Sequence, residues 1–133
     1  MARRDADESL EVVGKLALVI EPGPRCDLGQ GRVVDELVAR FTHSIRMDWL
    51  LPGIPPTGKH IELPFVVVVQ FEGDKLAHEH LYWDQASVLV QVGLLDRTLP
   101  VRGGETAAQV LNPTQPMNEL IRRASGQADG SQA

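Results

Sequence analysis

The chain has 133 residues, of which 43% are hydrophobic and 23% charged, with 12 Gly, 9 Pro, six aromatic residues and one Cys. That is the length of a single domain able to bury roughly two thirds of its unfolded surface, so no disulfide or metal staple is needed, and the lone Cys26 has no internal partner. A formal charge of −5 lacks the basic footprint of a nucleic-acid binder, and the longest apolar run, Leu63 to Val69, falls far short of the roughly 20 residues of a membrane helix.

Residues 1–9 and 125–133 are charged or small and polar and are expected to be disordered tails around a domain at 10–124. The early arginines are followed at once by acids, so no secretory signal is expected, and a reducing cytoplasmic setting follows from the cysteine usage. Val12 to Glu21 suits a strand, with helix as the alternative, and Pro22-Gly23-Pro24 opens a loop through Gly31. Gly29-Gln30-Gly31 precedes a strand pattern instead of opening a helix, so it reads as a turn and not a dinucleotide fingerprint.

From Val33 to Trp49 the odd positions are mostly apolar and the even ones mostly polar, which predicts a strand; Val34, Leu37, Val38 and Phe41 also fit a helical stripe in its first half. Pro52 to Gly58 holds three prolines and two glycines and is a rigid loop. Ile61 to Phe71 alternates again, with Val66 and Val68 making its second face apolar, so both faces are expected to be covered. Gly73 suits the first central position of a two-residue hairpin at Glu72–Lys75, which returns the chain as a strand from Lys75 to Trp83. Asp84 is a good helix N-cap, Val88, Leu89 and Val92 form a stripe, and Gly93 ends the helix. Thr106 to Leu111 and Pro116 to Arg123 read as two further short helices.

With a regular hairpin at Gly73-Asp74, Phe65, Val67 and Val69 stand opposite Tyr82, His80 and His78. Asp84 shares that face by parity, and His43 shares an inward face with Phe41 and Ile45. Buried polar groups need partners, so this row points to a cavity holding a ligand or water. Plainer readings stand beside it. His43 is equally a hydrogen-bonded core histidine, and Asp84 is complete as a helix cap. His78 and His80 have the spacing of a strand metal pair, but with no third ligand set by motif no metal is expected. Glu79 and Trp83 are expected on the opposite face. No nucleophile motif or phosphate-binding glycine loop is present.

The segments MDWLLPGIPPTGKHIELP, FEGDKLAHEHLYWDQASVLVQVGLLD and LPVRGGETA resemble the SnoaL-like, polyketide cyclase-like branch of the nuclear transport factor 2 superfamily, over roughly Arg32 to Arg123. The subgroup includes domains fused or adjacent to dienelactone hydrolases. The resemblance implies an α+β fold whose curved, mostly antiparallel sheet and short helices form a cone around an apolar pocket, in a homodimer. Members carry helices before the first strand that have no counterpart here, so the resemblance implies a domain incomplete at its N-terminus. It also implies that Asp84 and His80 are the acid/base residues, and His43, Trp49, Phe65, Val67, His78 and Tyr82 are expected to line the pocket. The substrate is then a small hydrophobic carbonyl compound undergoing cyclisation or isomerisation without cofactor. The alternative is a non-catalytic ligand-binding or dimerisation module accessory to a hydrolase, and a lactone hydrolase ranks last.

Overall fold

The computed structural model describes residues 19–112, 114 and 119–126. Four strands, β1 (Val19–Gly29), β2 (Arg32–Thr42), β3 (His60–Glu72) and β4 (Lys75–Trp83), form one antiparallel sheet in the order β1-β2-β3-β4. Three short helices follow among the described residues: α1 (Gln85–Gln91), α2 (Thr106–Leu111) and α3 (Glu119–Ala124). The fold is thus α+β with an open antiparallel sheet. Among the described residues no helix is long and apolar enough to cross a membrane. Residues 12–18 of the expected first strand, the tail at 1–9, residues 127–133 of the other tail, and the start of the last expected helix (116–118) lie outside the described residues.

The first correction concerns β1. Its strand does not stop at Glu21 but runs to Gly29, through the prolines read as a loop. Pro lacks an N–H for a ladder, yet β1 is an edge strand, and its register to β2 skips from Pro22 to Arg25, which leaves Gly23 and Pro24 out of the pairing. The turn into β2 has Gln30 and Gly31 at φ +52° and +71°, the double left-handed pattern of a two-residue hairpin. Gly31 also meets β3: its carbonyl accepts from the Phe71 N–H at 2.7 Å, and a Cβ there would lie 2.7 Å from the Phe71 carbonyl oxygen. Gln70 secures the same turn, donating from Nε2 to the Gln30 carbonyl at 2.9 Å.

The second correction concerns β2, which ends at Thr42 and not near Trp49. Its ladder to β3 is unbroken from Arg32 opposite Gln70 to Thr42 opposite His60. Beyond it the chain turns, the Leu50 and Leu51 N–H groups both donating to the Met47 carbonyl. Met47, Leu50 and Leu51 thereby fold over the inner sheet face, where Phe41, Ile61, Leu63 and Phe65 are buried with them. Asp48 fixes the turn from outside, accepting from the Gly53 N–H at 2.9 Å and from Arg46 Nε at 2.7 Å.

The α1 helix completes the cover through Val88 and Val92, with Leu89 partly buried against them. Its signals act as the sequence predicts. Asp84 accepts from the Ser87 N–H at 3.1 Å, and Gly93 (φ +81°) follows the last turn, with Gly93 N–H donating to Val90 and Leu94 N–H to Leu89. The α2 helix packs across β2 and β3, and on the outer face Val66 and Val68 are half-buried.

Gly29 and Gly31 separate two costs of a side chain in this hairpin. A Cβ at Gly29 meets nothing within 4 Å, so Gly29→Ala should lose only the left-handed backbone penalty, about 1–2 kcal/mol. Gly31→Ala adds a collision with the β3 backbone and should destabilise by clearly more; equal losses for the two variants in urea unfolding would contradict the close approach.

Candidate functional site

The site expected from the sequence depends on how β4 lies against β3. The turn is as expected, with Gly73 at φ +63° and Phe71 opposite Leu76. The next pair, however, is Gln70 with His78, so Ala77 is an extra residue with no opposite number. A one-residue shift sends every later side chain to the other face. His80 stands opposite Val68 and Tyr82 opposite Val66, while Glu79, Leu81 and Trp83 stand opposite Val69, Val67 and Phe65. This corrects the expected pairing of His78, His80 and Tyr82 with Val69, Val67 and Phe65, and it brings Glu79 and Trp83 to the inner face.

The expected residues therefore form three groups. On the inner face Phe65, Val67 and Trp49 come together with Trp83: the Trp49 and Trp83 rings meet edge to face at 6.0 Å, and Phe65 lies 5.8 Å from Trp83. Phe65 and Val67 are buried and Trp49 is partly exposed. Trp83 is oriented by its indole N–H, which donates to Gln85 Oε1 at 2.7 Å, and Gln85 in turn donates to the Leu50 carbonyl at 2.9 Å. One glutamine side chain thus ties the end of β4 to the 47–51 turn.

On the outer face lie His78, His80 and Tyr82, all exposed, with the two imidazole centroids 5.2 Å apart. Asp84 sits between the groups at the strand-to-helix corner, exposed, with Oδ1 holding the α1 N-terminus. It is not joined to His80 by a hydrogen bond among those the described residues form.

His43 is the third group. It is fully buried beyond the end of β2, where its backbone pairs with Lys59 and Gly58. The Thr57 N–H donates to Nδ1 at 3.2 Å, which assigns the ring proton to Nε2, an atom with no hydrogen-bond partner among the described residues. The Thr57 hydroxyl lies 3.1 Å from the same Nδ1. Burial lowers the His43 imidazole below its ordinary value of 6.5. His43 is a pin between β2 and the proline-rich loop; it does not join the inner aromatic group or the outer imidazoles.

The sequence reading did not single out a cleft of about 400 Å³ lined by Val90, Arg97, Val101, Gly103, Glu105 and Arg123. Arg123 builds one wall by donating to the carbonyls of Val101, Arg97 and Leu99 at 2.8, 2.9 and 3.2 Å. Glu105 turns back to accept from the Gly103 N–H at 2.9 Å. The only sequence signal for this region is the Gly103-Gly104-Glu105-Thr106 motif. None of the expected site residues lines the cleft.

Among the described residues no group of three or more His, Cys, Asp or Glu side chains is arranged to hold a metal ion. No family model matches the chain, and no curated protein and no solved structure matches it significantly.

His43 gives the fold a pH dependence with a defined sign. Its folded value lies below the unfolded 6.5, so between the two the unfolded chain binds more protons and folding weakens as pH falls. The contribution is complete above 6.5, is lost on acidification toward the lowered folded value, and is flat below it. Urea unfolding across pH 5–8 should show this slope in the wild type and its loss in His43→Asn, whose amide oxygen keeps an acceptor for Thr57; an unchanged slope in the variant would exclude His43 as its source.

Proposed function

We propose that this chain is a SnoaL-like, cytoplasmic module that binds a small hydrophobic carbonyl compound without turning it over, and that it works as a homodimer. One observation carries the choice of binding over catalysis: the extra residue at Ala77 sets His78, His80 and Tyr82 on the opposite sheet face from Phe65, Val67 and Trp83. General acid/base catalysis needs its donor within hydrogen-bond reach of the bound substrate, and a sheet lies between these groups. Asp84, the base in the catalytic alternative, has a complete structural role as cap.

The binding surface is the inner aromatic group, where Trp49 remains accessible beside Trp83 and Phe65. Flat rings at an edge-to-face angle offer an apolar contact suited to a planar unsaturated molecule. Self-association is supported by β4 itself. It is an edge strand with eight exposed residues and one half-buried, and Leu76, Leu81 and Tyr82 stay 54%, 46% and 58% exposed, with unpaired backbone groups along its free side.

The catalytic alternative, a cofactor-free cyclase or isomerase with Asp84 as base and His80 as donor, keeps one foothold. Asp84 uses only Oδ1 as cap, which leaves its second oxygen uncommitted among the described residues. Tryptophan fluorescence should quench saturably with aromatic or lactone-like carbonyl compounds and lose that response in Trp49→Ala. Asp84→Asn should bind them unchanged and keep its stability, since Asn caps about as well, whereas Asp84→Ala should lose about 1 kcal/mol. Turnover by the wild type that vanishes in Asp84→Asn would replace the binding module with the enzyme.

Tyr82→Lys, on the exposed strand, should shift the chain from dimer to monomer in sedimentation analysis at unchanged unfolding midpoint. A wild type that sediments as a monomer at all concentrations would remove the homodimer.

A further inference from the structure

The outer face of β4 carries two histidines that neither core packing nor the proposed binding surface uses. Side chains standing straight off a strand at positions i and i+2 would be separated by roughly 6.7 Å. The His78 and His80 rings instead lean together to 5.2 Å between centroids, with their planes at 37°. With metal–nitrogen bonds of about 2.0–2.1 Å and a tetrahedral angle at the ion, two imidazole centroids lie roughly 5 Å apart. The pair already stands at the spacing of two ligands on one zinc-like centre.

The surroundings favour an open site. His78 and His80 face Gln70 and Val68 across the ladder, and Tyr82 is next in the row; all three histidine-face residues of β4 are exposed. Gln70 is already engaged, accepting from Arg32 Nε and donating to the Gln30 carbonyl. Among the described residues no acidic side chain is in an ion pair with either imidazole, in contrast to His60, which has Glu62 at 3.7 Å. The Ala77 bulge is what presents both rings on this face and not against the core.

We propose that His78 and His80 form a bidentate site for a divalent transition ion of borderline softness, of which Zn²⁺ is the type, with the remaining coordination positions taken by water or by an exogenous ligand. Imidazole nitrogen suits Zn²⁺, Ni²⁺ and Cu²⁺ and disfavours Mg²⁺ or Ca²⁺, which take oxygen ligands. The inference does not use the aromatic binding surface, but it shares the outer face of β4 with the proposed dimer contact at Tyr82, so the titration is made on Tyr82→Lys as well as on the wild type.

Zn²⁺ titrated into the full chain, followed by calorimetry and by ¹H–¹⁵N correlation of the imidazole nitrogens, tests it. Saturable binding, with shifts confined to His78 and His80, is expected. His78→Asn and His80→Asn should each weaken binding by about tenfold or more, while His60→Asn leaves it unchanged. Both positions are exposed, so the variants should retain the wild-type amide spectrum, which verifies the fold independently. Absence of saturable binding at millimolar Zn²⁺ overturns the site, as do shifts centred on His60 or equal affinity in a folded His78→Asn variant.

Discussion

The alternation of β3 is the constraint from which the rest of the sheet follows. Ile61, Leu63, Phe65, Val67 and Val69 all point inward and are all buried, so neighbouring strands have a single register that keeps apolar faces together. β2 meets that demand at four of its five inner positions, setting Phe41, Ala39, Leu37 and Val33 opposite Ile61, Leu63, Phe65 and Val69, with Asp35 opposite Val67 as the exception. The 47–54 segment and α1 then roof the wider end, where Ile61 and Leu63 have no exposure at all. A cavity left by Leu63→Ala at such a site costs about 2–5 kcal/mol, comparable with a small domain's whole margin.

Backbone polar groups are satisfied with the same economy where the sheet stops. β4 pairs with β3 only as far as Phe65, which leaves the edge of Glu62 without a strand partner on that side. Gln91 takes its place: the Glu62 N–H donates to Gln91 Oε1 at 2.8 Å, and Gln91 Nε2 donates to the Glu62 carbonyl at 3.0 Å. A side-chain amide thus extends the ladder by one residue. Gln91 also donates to the Ser87 hydroxyl, which donates to the Gly103 carbonyl. A Cβ at Gly104 would lie 2.9 Å from Gln91 Oε1, so the second glycine of the motif leaves room for the amide. The α1 segment and the distant glycine pair are parts of one polar joint.

Sequence made the local features legible because each rests on neighbours a few residues away. The Gly73 turn, the Asp84 cap and the Gly93 stop act at the expected positions. The failures are all non-local. Prolines in β1 read as a loop because nothing in the sequence marks β1 as an edge, the one place a sheet tolerates them. Met47 and Trp49 continue the β2 alternation by parity alone, yet the chain has already turned to bring Met47 over the core. The β4 register was the most consequential. Val66 and Val68 are as apolar as Val67 and Val69, so β3 accepts either parity. The strand β4 itself held the missing signal: Leu81 and Trp83 alternate with His80 and Tyr82, which places the apolar pair inward and demands an extra residue after Leu76. Because the candidate site was built on the regular register, Phe65, Val67 and Trp49 were legible as its apolar lining, while Trp83, expected on the opposite face, and the separation from the imidazoles were not.

The energetic reason for the extra residue can be stated from those same side chains. In a bulge-free ladder His78 and His80 would stand opposite Val69 and Val67, in the places now held by Glu79 and Leu81, which are themselves exposed, so the imidazoles gain little burial in either register. Trp83, half-buried against Phe65 and Trp49, would turn out to solvent and forfeit part of the roughly 1.5–3 kcal/mol that burying a large apolar side chain contributes, whereas Leu81 is already 46% exposed. The Trp83 N–H would also leave Gln85, and with it the tie from β4 to the Leu50 carbonyl. Against these losses a bulge removes the ladder partner of one residue, Ala77, on a strand whose other edge is open to solvent. A net hydrogen bond is worth about 0.5–1.5 kcal/mol, a loss that the packing of Trp83 and its indole hydrogen bond together offset. The inward side of β4 is therefore set by its one packed residue, Trp83, and the imidazoles take the outer side by parity, before any ligand or metal is considered.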